Sequence, residues 1–413
     1  FRRLVVRGNT NTVSFHPGSR PTAAAQQKHT DPPYSKREQG MRRLPLHGKG
    51  EKQRREERPD EIVINGDFLD QWFLPATYEH VTDSDEFYKK CADNNKGVID
   101  AFKSVIKDGI DLIYVPGNHD MTLKHEVLSE IIPGIRQIRD ARGLGRYRTG
   151  ERGEVVIEHC HRYESFCAPN PLSNKKYVKY GEPILPPGYF FALVGVQSFM
   201  ERQPKSDKAF EDAPLPDMND VSKVNSYAYY KVWRDILEDI FPVNESVDDK
   251  FIKVNVDGFQ GEFSINDLLP KMTEEGLKAN LYSDFVESWD EIQRRNMVSS
   301  PVDLTEQLKR MTDQTLRCEY AKKQYLDLDP TIDVVVFGHT HVPFYKTFRD
   351  EYDKDKIYVN EGTWVDNNSD DPDNTATFAE ITSSSSETKV ELLKCIGDGK
   401  VEDIVKASNK YTE

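Results

Sequence analysis

Two histidines one residue apart close the stretch 333–341, DVVVFGHTH. Imidazole is the commonest metal-ligating side chain. His339 and His341 follow four consecutive apolar residues, 334–337, that read as a strand buried on both faces. Gly338 lets the backbone turn tightly there, and the carboxyl ends of strands are where open α/β sheets place their ligands. Taken alone the pair is ambiguous, because surface histidines are common. Three earlier stretches with the same pattern decide it: 61–67 (EIVINGD), 111–120 (DLIYVPGNHD) and 154–161 (EVVIEHCH). Each joins an apolar run to a break and then to an oxygen or nitrogen ligand. Together they offer Asp67, Asn118, His119, Asp120, His159 and His161. A carboxylate, an amide oxygen and several imidazoles, with no thiolate required, suit Mn²⁺, Fe or Zn²⁺ rather than a structural thiolate zinc.

The elements that position these residues follow from periodicity. Apolar residues at Phe87, Val98, Phe102, Val105 and Ile106 predict a helix over 84–107, and 123–132 reads as another. Arg136, Arg139, Arg142, Arg146 and Arg148 form a basic cluster, either a solvated loop or a patch that meets an anionic substrate or lipid headgroup. Residues 199–329 look like an insertion, with helical periodicity at 227–240, 277–292 and 304–325 and a hairpin around Asp257-Gly258. After the paired histidines, 356–361 reads as a strand whose loop carries Asn360-Glu-Gly-Thr-Trp364. Residues 375–381 and 389–395 read as a closing antiparallel pair.

Composition narrows the class. At 413 residues the chain suits two or three domains. Its net charge of −14 is uneven: residues 1–58 hold 14 Lys and Arg against 5 Asp and Glu, which leaves −23 for the rest. An acidic body argues against a nucleic-acid-binding surface. Five scattered cysteines with no CxxC read as reduced thiols in a cytoplasmic protein. No apolar run approaches the length that spans a bilayer.

In this order and on these strand ends, GD…GNHD…H…GHTH resembles the calcineurin-like metallophosphoesterases, over roughly residues 60–366. GDFLDQW and NEGTW look most like the bacterial branch that includes the UDP-2,3-diacylglucosamine hydrolases. The resemblance implies an α/β fold, a four-layer α-β-β-α sandwich of two mixed sheets, here with a mostly helical insertion. It implies two divalent cations, Mn²⁺ with Fe or Zn²⁺ as alternatives. Asp67 would bridge them, Asn118, His159 and His339 would complete one shell, and His341 would serve the other. His119 would stay off the metals and protonate or stabilise the leaving oxygen, with Asp120 orienting its ring. Asp70 and Trp72 would pack or orient the loop, His161 would be a peripheral or surface residue, and Cys160 a small buried thiol where the family often has glycine.

One departure stands out. The family opens with a strand ending in Asp-x-His, and no Asp-x-His precedes Asp67. Residues 1–58 are rich in Arg, Gln, Gly, Pro and Thr, with a brief apolar run at 4–6, a composition that stays disordered. A non-native segment, a lost motif, or His16 ligating without its partner would each account for this. The expected division is therefore 1–58 atypical, 59–198 first part of the core, 199–329 insertion or cap, and 330–413 second part of the core.

The expected function is metal-dependent hydrolysis of a phosphate ester or pyrophosphate, on a phosphorylated small-molecule or lipid-linked substrate, with peripheral membrane contact allowed. Alternatives are a phosphomonoesterase or protein phosphatase, and a metal-depleted binding module. Substrate-binding residues are not legible, because specificity lives in loops and the insertion.

Overall fold

The computed structural model describes residues 2–7, 58–79, 83–170, 172–174, 177, 185–202, 210, 213–274, 276–278, 280–311, 313–364, 375–397 and 400–410. His16 and most of the 1–58 segment lie outside them.

The strand runs are apolar on both faces because each strand is covered twice. In β2 (Glu61–Asn65), Ile62 and Ile64 pack with Phe102 and Val105, whereas Val63 packs with Val155 and Val336. β3 (Asp111–Val115) divides the same way, Leu112 and Tyr114 to one side and Ile113 and Val115 to the other. In β11 (Val334–Phe337), Val334 and Val336 join the central layer while Val335 and Phe337 meet Cys318, Tyr320 and Tyr325 outside. Alternation between two apolar layers is what a strand inside a sandwich requires.

Two sheets result. The first runs β16 (Lys400–Lys410), β15 (Glu387–Gly397), β14 (Thr377–Ser383), β1 (Arg2–Arg7), β2, β3 and β4 (Arg136–Gln137). The second runs β12 (Phe344–Arg349), β13 (Asp355–Asn360), β11, β6 (Val155–Glu158) and β5 (Tyr147–Thr149). Both mix parallel and antiparallel pairs. Helices α1 (Ser84–Asn94), α2 (Lys96–Lys107) and α3 (His125–Ile131) cover the first sheet. The α/β sandwich expected from the sequence is the observed fold.

Residues 2–7 correct the expectation for the amino-terminal segment. They form β1, parallel to β2 with Val5 opposite Ile62 and antiparallel to β14 with Val5 opposite Glu380. A strand therefore stands where the resemblance implies one. The sequence that follows it, Gly8-Asn9-Thr10, lacks the Asp-x-His.

The helix expected over 84–107 is two helices. Asp83 caps α1 by accepting from Glu86 N, and at Asn95 the side-chain amide donates to Cys91 O at 2.8 Å, which ends the first helix before α2 begins. Downstream come α4 (Pro187–Met200), α5 (Val221–Ile240), α6 (Ile265–Leu268), α7 (Phe285–Arg295), α8 (Leu304–Met311) and α9 (Gln314–Ala321), which a π-turn follows at Lys322–Leu326. Two hairpins join them, β7 (Ile252–Val256) with β8 (Phe259–Phe263) and β9 (Lys271–Thr273) with β10 (Gly276–Lys278). The first turns at Asp257-Gly258 as expected. The helix expected over 277–292 is a strand at its start, because Gly276–Lys278 pairs with Lys271–Thr273 and the helix begins only at Phe285. The 304–325 helix breaks at Asp313, which accepts from Thr315 N to cap α9.

Residues of the 199–329 segment share a hydrophobic core with the residues before it: Trp233, Phe259, Tyr282 and Trp289 pack in one cluster with Trp72, Met121, Phe166 and Tyr189. Within that cluster Trp72 lies 6.1 Å edge-on from Tyr189.

Candidate metal centre

Four strand ends meet here, and those of β2, β6 and β11 are each bent by a left-handed residue. Gly66 has φ 85°, and a Cβ there would overlap the His159 ring. Asp67 (φ 51°), Cys160 (φ 79°), His339 (φ 72°) and His341 (φ 60°) adopt the same region without being glycine. Such backbone costs on the order of 1–3 kcal/mol per residue and clusters at functional sites. Cys160 thus occupies a position that glycine would fill without strain.

Proton bookkeeping shows what the site wants. His159 Nδ1 lies 2.7 Å from Asn65 O, an acceptor only, so that nitrogen carries the proton. Nε2 is then left facing Asp67 Oδ2 at 3.1 Å and Asn118 Oδ1 at 3.2 Å. In a neutral ring that nitrogen is a lone pair opposite two further acceptors. The arrangement needs a cation at its centre, or a second proton on the ring. Burial pushes the His159 pKa down, yet Asp67 outweighs it and the net shift is upward, which expresses the same demand. Burial alone would likewise raise the Asp67 carboxyl, but His159 and His119 hold it well below its ordinary range. His339 joins the cluster, with ligand atoms of Asp67, His159 and His339 all within 4.8 Å of one another. Burial lowers the His339 pKa, outweighing the upward pull of Glu164. The donor set fits a divalent cation of the Mn, Fe or Zn kind.

The remaining expected residues divide. His119 sits beside the cluster, its backbone N–H donating to Asp67 Oδ1 at 2.8 Å, with its side chain partly open to solvent. Its ring is not oriented by Asp120. Asp120 turns back into the loop, where its carboxylate accepts from Phe68 N at 2.6 Å and Gly117 N at 2.7 Å. Asp70 takes the orienting position, Oδ1 lying 3.0 Å from His119 Nδ1, and Trp72 stacks on the ring at 4.4 Å. Asp70 is fixed in turn by accepting from Trp72 N at 2.7 Å. Burial pushes the His119 pKa down, but Asp70 and Asp67 outweigh it and carry it up to about 9. His341 is buried, and no close grouping of three ligand side chains among the described residues includes it.

Several residues at the site were missed from sequence. Glu164 lies 3.0 Å from His339 Nε2 and is paired with the buried Arg317. Glu361, from the NEGTW loop, accepts from Asn65 Nδ2 at 2.9 Å, and burial raises its carboxyl to about 8. His161, read from sequence as peripheral or on the surface, is buried, its ring 5.5 Å from His159 and neither ring nitrogen hydrogen-bonded among the described residues, which is the peripheral alternative and not the surface one. The arginines do not form one patch: Arg139 donates to Met121 O at 3.2 Å, directly after Asp120, while the others are engaged elsewhere. Arg142 pairs with Asp140, Arg148 with Asp329, and Arg136 and Arg146 lie over Tyr147 and Tyr325.

The calcineurin-like phosphoesterase family model matches residues 42–343, well over half of the chain, and takes in the ends of β2, β3, β6 and β11. The chain belongs to the calcineurin-like phosphoesterase family. No curated protein matches it. Among solved structures, similarity is found to vacuolar protein sorting 29 from Cryptosporidium parvum, 20% identical over 24% of this chain and 45% of that one, TM-score 0.18. A single mutant of Vps29 from Entamoeba histolytica is 22% identical over 24% and 47%, TM-score 0.17. The chain thus spans less than half the length of either structure. No helix among its described residues is long and apolar enough to cross a membrane, and all five cysteines are unpaired.

Proposed function

We propose that this phosphoesterase hydrolyses a phosphodiester or pyrophosphate bond on a phosphorylated small-molecule or lipid-linked substrate. The observation that carries it is the Nε2 of His159 facing Asp67 and Asn118, with the His119 ring next to it 3.0 Å from Asp70. Asp67, Asn118, His159 and His339 would hold the cation. When bound, a divalent cation supplies Lewis acidity toward the phosphoryl oxygens and lowers the pKa of water. In the hydrolysis, water adds to phosphorus and the P–O bond opposite it breaks. His119 gives the departing oxygen its proton, and Asp70 stabilises the imidazolium until it does. Stacking on Trp72 fixes the direction of that transfer.

GNHD ending in aspartate, with GDFLDQW and NEGTW, supports the diester or pyrophosphate reading and a likeness to the UDP-2,3-diacylglucosamine hydrolases. The missing Asp-x-His after β1 favours a second reading, a protein that binds phosphorylated ligands with little turnover. Hydrolysis of bis(p-nitrophenyl) phosphate and p-nitrophenyl phosphate after EDTA treatment and Mn²⁺ addition separates the cases. Faster turnover of the diester, restored by Mn²⁺, is expected. Faster turnover of the monoester would overturn the assignment. Turnover of neither by metal-loaded protein would leave the binding reading.

A further inference from the structure

His339 lies between a carboxylate and the Asp67–His159 pair. Nε2 lies 3.0 Å from Glu164 Oε2. A carboxylate accepts, so Nε2 carries the proton and Nδ1 is left with the lone pair that a cation would take. His159 is prepared in the same way by Asn65 O, but there the acceptor is main chain that the strand holds. For His339 the acceptor is a side chain and needs its own anchor. Arg317 supplies it: its Nε lies 2.8 Å from Glu164 Oε1, both side chains are buried, and its Nη2 donates to Met311 O.

Arg317 belongs to α9, beyond the insertion's two hairpins, and Glu164 to the turn after β6. We propose that Glu164 is the positioning residue for His339 and that Arg317 sets Glu164, so that helix α9 bears directly on cation affinity. This rests on His339 being a metal ligand, as the proposed function has it.

Glu164, Cys167 and His339 also bring ligand atoms within 4.8 Å of one another, which raises the alternative that Glu164 is itself a ligand of a second cation. The guanidinium on Glu164 argues against it, since it already neutralises that carboxylate and repels a further cation.

Mn²⁺ affinity by titration calorimetry and the visible spectrum of the Co²⁺-loaded full chain test this. Glu164→Gln is expected to weaken Mn²⁺ binding about 10- to 100-fold, the usual effect of losing such a partner, and to shift the Co²⁺ bands. Glu164→Asp should recover part of both. Arg317→Lys should weaken binding less than Glu164→Gln, and Cys167→Ala should change neither readout. Unchanged Mn²⁺ affinity and spectrum in Glu164→Gln would overturn the proposal. So would equal losses in Glu164→Gln and Cys167→Ala, which would make Glu164 a ligand. If Glu164→Gln does not fold, Arg317→Lys decides by the same readouts, an unchanged result overturning the role of α9. His339→Ala separates the premise: wild-type affinity there would remove His339 as a ligand. Lost affinity there with an unaffected Glu164→Gln would remove the positioning role alone.

Discussion

Asp70→Asn removes the charge 3.0 Å from His119 Nδ1 while leaving an oxygen that can still accept from Trp72 N. The local turn should therefore survive and only the support of the imidazolium should fall. A hydrogen bond to a charged group is worth about 1.5–3 kcal/mol, and the His119 side chain is only 16% exposed, so solvent compensates little. At about 1.4 kcal/mol per factor of ten, kcat for a diester should drop roughly 10- to 100-fold, with Mn²⁺ content and melting temperature near wild type. Asp120→Asn supplies the contrast. Its two oxygens serve two separate N–H groups, and an amide would turn its NH₂ toward one of them. That should cost about 1–3 kcal/mol of stability and lower the melting temperature, with kcat of the folded fraction largely retained. Steady-state kinetics, thermal melts and elemental analysis on both variants decide. Wild-type kcat in Asp70→Asn, or a normal melt with lost turnover in Asp120→Asn, would refute the reasoning and return the orienting role to Asp120.

Elemental analysis of the purified chain should find about one tightly held ion, because the set around His159 is complete whereas His341 lies outside any close grouping among the described residues; two tight ions would show that residues outside them complete a second site. Gly66→Ala should lower turnover and Mn²⁺ affinity together, since its Cβ would overlap the His159 ring; wild-type values of both would mean that the ring is free to shift. Trp233→Ala should cost about 3–5 kcal/mol in a chemical melt, because that side chain is 1% exposed against Phe191 and Tyr229. Burial raises the Glu154 carboxyl, but the Ser383 and Thr388 hydroxyls outweigh it and hold it below its ordinary range. Its contribution to stability is thus present above about pH 4.3 and lost as pH falls through the lower folded value. Glu154→Gln should flatten that part of the acid-unfolding curve, and an unchanged curve would contradict the assignment.

The site was legible where chain order and space coincide. A buried strand, a break and a ligand make a local pattern, so Asp67, Asn118, His159 and His339 could be read from their own neighbourhoods. Pairings between distant segments could not. Asp120 adjoins His119 in sequence yet turns its carboxylate to Phe68 and Gly117, while Asp70 reaches the ring from another loop. Glu164 and Arg317 carry no local mark at all, since a buried ion pair between a turn and a distant helix has no period or spacing. The strand β1 was missed because its apolar run is short and flanked by arginines, and it is the neighbours on either side, β14 and β2, that make it a strand. Helix breaks at Asn95 and Asp313 were hidden because apolar periodicity runs on across a cap.

The outer edge of the first sheet has a consequence for handling the protein. Among the described residues β16 pairs only with β15, so its far side offers backbone groups to any passing strand. Its sequence, KVEDIVKASNK, places charges along that edge and discourages self-association. β15 behind it reads ETKVELLKCIG, with a run of apolar residues in its second half. Truncating the chain before Lys400 would hand the edge to that strand. The shortened protein would keep every residue of the candidate metal centre yet gain a template for intermolecular β-pairing, and its loss would register as turbidity rather than as lost chemistry.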